Sequence, residues 1–132
     1  MAYNPDIKHV FFDLDHTLWD FETNSDLAFQ KVFTNNNISI DLPTFIEVYR
    51  PINRDFWRLY REDKISKKEL RYQRLKTTFD KINETVSDDT INTIAYEYIE
   101  FLPDFNHLFE GTIDILEYLK QSYTLHIITN GF

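Results

Sequence analysis

The stretch of sequence that decides the fold is Val10-Phe11-Phe12-Asp13-Leu14-Asp15-His16-Thr17-Leu18, an apolar run that ends in two carboxylates and a hydroxyl. The run from Ile7 to Asp13 is nearly continuous in apolar residues, which is typical of a parallel strand covered on both faces. Alternate side chains of an extended segment share a face, so Asp13 and Asp15 begin on the same side. Two carboxylates this close do not both ionise readily without a cation. We therefore predict that one binds a metal ion and acts as a nucleophile, while the other keeps a raised pKa and works as acid and base.

A second strand with the same apolar pattern lies near the other end of the chain, over Tyr123–Thr129, and is followed by Asn130 and Gly131. Before it, residues 111–120 have the apolar spacing of a helix. A helix followed by a strand is the second half of a βαβ unit, whose crossover is right-handed. Ligands bind beyond the carboxyl ends of the strands in open α/β sheets, so Thr129 and Asn130 are expected to lie near the two carboxylates.

The segment between these strands is helical by its periodicity and is predicted to form four helices. Four signals mark their limits: a start after Asn24 or Ser25, a kink or split at Pro51, a capping box at Ser66-Lys67-Lys68-Glu69 and a cap at Ser87. The sequence therefore predicts an α/β core made of residues 1–18 and 104–132. Residues 19–103 form a helical cap that is inserted after the first strand.

The composition argues against several classes of function. The chain has no cysteine, which excludes disulfides, thiolate zinc sites and cysteine nucleophiles. The formal charge is -8, with 22 acidic and 14 basic residues, and this balance argues against a nucleic acid polymer as the partner. A small phosphorylated ligand fits if a divalent cation and backbone N–H groups offset the acidic field. No apolar run resembles a signal peptide or is long enough to cross a membrane, so we expect a soluble cytoplasmic protein.

The polar residues at the two strand ends match the needs of phosphoryl transfer. Carboxylates can hold Mg²⁺ and attack phosphorus, and hydroxyl and N–H groups can donate to the phosphoryl oxygens. Asp13-Leu14-Asp15-His16-Thr17 resembles the first motif of the haloacid dehalogenase superfamily, and Ile128-Thr129-Asn130-Gly131 resembles its second. With the helical insert after the first motif, the whole chain resembles the pyrimidine 5'-nucleotidase branch.

This resemblance implies a Rossmann-like parallel-sheet core, present here in part, with a four-helix cap. It also implies a Mg²⁺-dependent phosphatase that acts on a pyrimidine nucleoside 5'-monophosphate. By the same resemblance, Asp13 is the nucleophile that forms an aspartyl-phosphate, and it also binds the metal. Asp15 is the acid and base and binds the metal through its carbonyl, while Thr129 and the Asn130 amide hold phosphate oxygens. Dehalogenases lack the second acid because a carbon–halogen bond needs no leaving-group proton, so Asp15 favours phosphate chemistry.

The family's third and fourth motifs, a basic residue and an acidic pair, lie downstream of the second motif and are not found before Phe132. Lys120 precedes the second strand and is not taken as the missing lysine. We expect the chain to be a fragment of a longer product, whose remainder or a second copy covers the sheet. Two alternatives stay open: a phosphatase for sugar phosphates or other small metabolites, and an inactive fragment that serves as an interaction module.

The residues around the first motif carry further, weaker signals. His16 lies between the acids and Thr17, and its position favours a turn residue over a catalytic one because no step requires an imidazole. Five aromatic residues could stack on a nucleobase, as aromatic faces do: Trp19, Phe21, Phe56, Trp57 and Tyr60. Most of them have the helical spacing of core residues, so we expect only one or two to reach a substrate.

Overall fold

The computed structural model describes residues 4–131 and shows an α/β protein. Within those residues two strands and five α-helices follow in the order β1 (His9–Asp13), α1 (Phe21–Asn35), α2 (Leu42–Arg61), α3 (Lys67–Lys81), α4 (Asp88–Phe101), α5 (Thr112–Leu119) and β2 (Thr124–Ile128). A short 3-10 helix, Leu102–Asp104, follows α4. This order confirms the predicted fold class, a partial parallel-sheet core with four helices inserted after the first strand.

The two strands pair in parallel, in a register that sets Asp13 opposite Ile128. β1 begins at His9 rather than at Ile7, because the Ile7 amide instead donates to the Asn4 carbonyl in a local turn (3.2 Å). β2 is likewise shorter than predicted, by the terminal residue at each end. The carboxyl ends of both strands therefore lie at the same edge of the sheet.

Apolar side chains of this sheet are widely exposed. Phe11 is 58% exposed, and Ile127 and Ile128 are each 59% exposed. The sequence pattern predicted strands covered on both faces, and the residues that the structure describes do not supply that cover. Stable sheets generally need three or more strands or a helix against an apolar face. The expectation that a further segment or a second copy covers the sheet stays a prediction.

The first helix begins earlier than the sequence predicted. α1 starts at Phe21, not after Asn24 or Ser25. The carboxylate of Asp20 accepts hydrogen bonds from the backbone N–H (3.3 Å) and hydroxyl (2.8 Å) of Thr23, as a capping residue does. Asn24 lies inside the helix and is fully buried in its first turns.

The second helix continues through its proline. α2 runs without interruption from Leu42 to Arg61, so the predicted possibility of a split at Pro51 is wrong. Proline removes one backbone donor from a helix interior. Tyr49 and Ile52, on either side of Pro51, are both buried, and this packing favours a continuous helix despite the lost donor.

The predicted caps of the third and fourth helices are confirmed. Ser66 Oγ accepts from the Glu69 amide (3.1 Å), and the Glu69 carboxylate accepts from the Ser66 amide (2.7 Å), which completes the capping box of α3. The hydrogen bond from the Ser66 amide and, second, the interaction with the Ser66 side chain hold the pKa of the Glu69 carboxyl below its ordinary value. Ser87 caps α4 by accepting from the Thr90 amide (3.2 Å).

The contacts divide the described chain into two compact units. One unit contains the residues up to Ser25 and those from Phe105 onward, and it holds the sheet and α5. The other unit, Asp26–Asp104, holds most of α1 and the helices α2–α4. The assignment of residues 19–103 as a functional cap stays a prediction. None of the helices in the described chain combines the length and apolar character that crossing a membrane requires.

The helical unit has an aromatic core with a buried cation in it. Phe29 packs against Phe45 (ring centroids 5.2 Å apart) and Tyr98 (4.3 Å). Arg74 is 2% exposed, and its guanidinium carbon lies 5.3 Å from the centroid of the Tyr98 ring. Its Nη1 donates to Asn53 Oδ1 (3.1 Å), while Nε and Nη2 have no hydrogen-bond partner among the described residues. No local pattern in the sequence predicts this buried charge.

Candidate active site

The chain turns sharply after β1, directly behind the first carboxylate. The Leu14 carbonyl accepts backbone hydrogen bonds from Thr17 (3.3 Å), Leu18 (3.0 Å) and Trp19 (3.0 Å), which folds residues 14–19 into a compact turn. This turn brings the Thr17 hydroxyl back to Asp13, where Oγ1 donates to Oδ2 at 3.0 Å. One oxygen of the Asp13 carboxylate is therefore held by a hydroxyl group.

Asp15 lies in the same turn and has a perturbed acidity. Its pKa is raised above the ordinary value of 3.8, first because of partial burial and second because of the negative charge of Asp13. The nearby His16 opposes this effect. An acid whose pKa is raised keeps its proton to higher pH, which suits a group that must donate a proton near neutrality.

The turn that follows β2 approaches the first motif. The Gly131 amide donates to Thr129 Oγ1 at 3.2 Å. A side-chain carbon placed on Gly131 would lie 3.4 Å from Asp15 Oδ2 and 3.4 Å from Thr129 Oγ1. The backbone at Gly131 thus lies next to both groups. Asn130 is exposed and lies between Thr129 and Gly131 in this turn.

The predicted site residues therefore differ in how firmly the structure links them. It joins Asp13 to Asp15 through the β1 turn, and it brings Thr129 close to Asp15 through Gly131. Asn130 lies at the same strand end, in the turn that follows β2. The catalytic, phosphate-binding and metal-binding roles of these four residues stay predictions.

The donor set of this edge fits part of a magnesium site. Mg²⁺ is bound by one or two carboxylates, with waters and phosphate oxygens completing six positions. The Asp13 carboxylate would supply one such group, and the main-chain carbonyl of Asp15, in the turn that follows, would supply a second oxygen. The Asp15 carboxyl is then left with its raised pKa. Within residues 4–131 no group of three histidine or acidic side chains could hold a metal ion.

One positioning residue was missed by the sequence analysis. Asn24 is fully buried, and its amide bonds both backbone groups of His107: Nδ2 donates to the carbonyl (3.0 Å) and Oδ1 accepts from the N–H (2.8 Å). The same His107 carbonyl accepts from the Asp20 amide (2.9 Å). These bonds tie the segment before α5 to the turn behind the first motif. An asparagine at a helix start is ordinarily a cap, so no signal in the sequence distinguished this role.

Residues 7–132 match the family of haloacid dehalogenase-like hydrolases, and the chain belongs to that family. It is 28% identical over 125 residues to the HAD-hydrolase YfnB of Bacillus subtilis, a match that covers 94% of this chain and 51% of YfnB. It is 30% identical over 125 residues to the pyrimidine 5'-nucleotidase PynA of Streptococcus pneumoniae, with the same coverage of 94% and 51%. The chain thus spans about half the length of the curated relatives it matches.

Solved structures support the same family. The crystal structure of YfnB from Bacillus subtilis, bound to magnesium, has a TM-score of 0.82 at 27% identity and covers 96% of this chain and 54% of that chain. The L-2-haloacid dehalogenase Rha0230 has a TM-score of 0.65 at 14% identity and covers 95% of this chain and 51% of that one. The second likeness concerns the fold alone. The family predicted from the two motifs is confirmed.

Proposed function

We propose that this chain carries the nucleophile and the acid–base residue of a Mg²⁺-dependent phosphomonoesterase that acts on pyrimidine nucleoside 5'-monophosphates. The observation that carries the proposal is the convergence of the two strand ends. The Asp15 carboxylate, in the turn after β1, and the Thr129 hydroxyl, after β2, both lie beside the backbone of Gly131. In this proposal Asp13 is the nucleophile, and the Thr129 hydroxyl and Asn130 amide donate to phosphate oxygens.

Asp13 performs the first half of the proposed reaction. A carboxylate oxygen of Asp13 forms a bond to phosphorus while the bond between phosphorus and the nucleoside 5'-oxygen breaks. The Thr17 hydroxyl orients the carboxylate by donating to Oδ2, which leaves Oδ1 for the attack. Asp15 gives its proton to the departing 5'-oxygen, so the nucleoside leaves as a neutral alcohol and the phosphoryl group stays on Asp13.

Asp15 performs the second half as a base. Its carboxylate, now without the proton, takes one from a water molecule. The water oxygen forms a bond to phosphorus and the bond to Asp13 breaks, which releases inorganic phosphate and restores both carboxyl groups. The raised pKa of Asp15 supports both roles because it brings proton donation and proton uptake closer to neutral pH.

A bound magnesium ion would supply electrostatic stabilisation of the negative charge on the transferring phosphoryl group. The Asp13 carboxylate and the main-chain carbonyl of Asp15 are the groups proposed to hold it. The likeness to the magnesium-bound YfnB structure supports magnesium as the ion.

Two observations support the proposal that the substrate is a nucleotide. PynA, 30% identical to this chain, is named a pyrimidine 5'-nucleotidase, and the charge of -8 disfavours a polyanion as partner. A sugar phosphate on the same catalytic residues is the alternative substrate. The cytoplasmic location stays a prediction from the sequence.

The proposal is tested by hydrolysis and by trapping of the intermediate. Because the family's third and fourth motifs are not found before Phe132, the chain alone is expected to bind Mg²⁺ weakly and to turn over little. With Mg²⁺ it is expected to release phosphate from UMP or CMP slowly and to gain the mass of one phosphoryl group on Asp13 after acid quenching. Asp13→Asn is expected to lose both the hydrolysis and the added mass. Asp114→Asn, an exposed acid in α5, is the matched control and should retain both.

Two outcomes would contradict the proposal. Substantial hydrolysis by Asp13→Asn would remove Asp13 from the nucleophile's role. A higher kcat/KM for ribose 5-phosphate than for every nucleotide would overturn the nucleotide assignment while leaving the phosphatase chemistry intact.

A further inference from the structure

Three aromatic rings that the proposed chemistry does not use lie in and just after the turn that contains Asp15. The ring centroids of His16 and Phe21 are 5.1 Å apart, with planes inclined by 44°. The centroids of Trp19 and Phe21 are 6.0 Å apart in an edge-to-face arrangement. The three rings thus form one cluster at the turn behind β1.

Backbone bonds hold this cluster in a defined position relative to Asp15. Trp19 pairs with Asp15 on one side and with Leu108 on the other as isolated bridges. The Trp19 carbonyl accepts from the His16 amide (3.0 Å) and from the Phe21 amide (2.9 Å). The Trp19 backbone is therefore bonded to the backbones of His16 and Phe21, and this holds the three residues at the turn that contains Asp15.

The cluster is not part of the hydrophobic core. His16 is exposed, and Trp19 and Phe21 are half-buried. The indole N–H of Trp19 makes a long bond to Asn106 Oδ1 (3.4 Å). The His16 ring is therefore the one most accessible to a ligand.

His16 occupies a backbone conformation that a side chain disfavours. Its φ is +65°, in the left-handed region that glycine adopts without strain. Such outliers cluster at functional sites, where the surrounding structure holds them in place. His16 directly follows Asp15 along the chain, so the turn holds its ring next to the acid in sequence and fixes its backbone. Histidine is one of the residues that adopt this conformation more readily than most, so the turn accommodates an imidazole at this position.

We propose that His16, Trp19 and Phe21 form a platform for the base of the departing nucleoside, in which the base stacks on the exposed His16 ring and the inclined rings of Phe21 and Trp19 border it. This inference rests on the proposed function, in which Asp15 protonates the leaving oxygen, because the leaving group must then lie on the Asp15 side of the site. Aromatic faces stack on any nucleobase, so the platform selects nucleoside monophosphates over phosphate esters that lack a base. His16 is the specificity-determining residue because it is the most exposed ring and the nearest in sequence to Asp15.

Binding of a nucleoside without phosphate tests the platform independently of catalysis. Uridine and ribose are titrated into the ¹⁵N-labelled full chain, and the indole N–H signal of Trp19 is followed by NMR. Trp57→Phe removes the only other tryptophan and assigns the signal. Uridine is expected to shift the Trp19 signal, and ribose at the same concentration is expected to leave it unchanged.

His16→Gly removes the ring without backbone strain, and His16→Asn keeps a polar side chain that tolerates the left-handed conformation. Both are expected to weaken uridine binding roughly 5-fold to 100-fold, the range for loss of one stacking ring. Tyr96→Ala, which removes an exposed ring in α4, is the matched control and should bind uridine as the wild type does. Because both variants leave Trp19 and Phe21 in place, loss of binding measures the contribution of the His16 ring.

The ratio of kcat/KM for UMP to that for ribose 5-phosphate gives a second measurement. Any change in the acidity of Asp15 affects both substrates, so a fall in this ratio in His16→Gly reports the base contact. An unmoved Trp19 signal, or a ratio unchanged by His16→Gly, would overturn the platform. Asp13-dependent hydrolysis with an unchanged ratio would reject the platform alone. Uridine binding at Trp19 without hydrolysis of any phosphate ester would support the platform and reject the phosphatase proposal.

Discussion

Replacement of Asn24 by alanine tests whether one buried amide holds together the backbone around the candidate site. Asn24 is fully buried and makes two hydrogen bonds to His107, at 3.0 Å and 2.8 Å. Each bond contributes about 0.5–1.5 kcal/mol, and the His107 N–H left without its partner costs about 1 kcal/mol more. The His107 carbonyl keeps its bond from Asp20, and alanine favours the helix by about 0.5 kcal/mol. We expect a net loss of about 2 kcal/mol.

Urea unfolding followed by circular dichroism measures this loss of free energy. In a thermal scan, the same loss corresponds to a fall in Tm of about 8 °C for a chain of this size. Amide hydrogen exchange at the His107 N–H gives a local measurement and should become faster in Asn24→Ala. Asn92→Ala, at an exposed position in α4, is the matched control and should change stability little. A loss below about 0.5 kcal/mol, with unchanged exchange at His107, would refute the reasoning.

Asn24→Asp tests the direction in which the stability of a variant at this position changes with pH. A carboxylate still accepts from the His107 N–H but faces the His107 carbonyl without a proton to donate. Burial raises the pKa of such an acid. The ionised carboxylate therefore lowers the free energy of unfolding above that raised pKa, and this loss of stability is relieved as the pH falls through it. Asn24→Asp should therefore recover stability relative to wild type between pH 7 and pH 4, approximately. A constant difference over this range would contradict the assigned bonds.

Three further predictions concern charge and capping. Asp15→Asn is expected to raise Tm at neutral pH, because the raised pKa of Asp15 means that its ionised form opposes folding. This gain in Tm should shrink as the pH falls through that pKa, and it should vanish below the ordinary value of 3.8. Ser66→Ala is expected to lower the free energy of unfolding by about 1 kcal/mol through loss of the α3 cap, as measured by urea titration. Arg74→Met is expected to change stability by less than about 1 kcal/mol, because methionine fills similar space and removes a buried charge that has two nitrogens without partners.

The first two of these predictions have matched controls, and all three have an outcome that contradicts them. Asp114→Asn, on an exposed acid, controls for Asp15→Asn, and a Tm gain that does not vary with pH would contradict the pKa argument. Ser122→Ala, at an exposed serine outside a cap, controls for Ser66→Ala, and equal losses would contradict the capping role. For Arg74→Met, a loss above about 3 kcal/mol would show that the buried guanidinium stabilises the helical unit.

The elements that sequence patterns predicted well are those decided by neighbouring residues. The capping box at Ser66 and the cap at Ser87 depend on residues three positions apart, so their signals are contained in short segments. The start of α1 was placed wrongly because Asp20 and Asn24 are both ordinary capping residues. The choice between them depends on His107, which lies far along the chain. The possibility of a split at Pro51 was wrong because burial on both sides of the proline favours a continuous helix.

The sequence by itself determined the two strands, the order of the helices and the family, because apolar runs, caps and motifs are local patterns. It also determined that Asp13 and Asp15 share one strand end. Only the tertiary structure decided that Gly131 lies beside Asp15, that Asn24 bonds the backbone of His107, and that Arg74 is buried. These features join groups that are distant along the chain or depend on how helices pack. Such contacts follow from the folded arrangement of the whole chain, which no local pattern encodes.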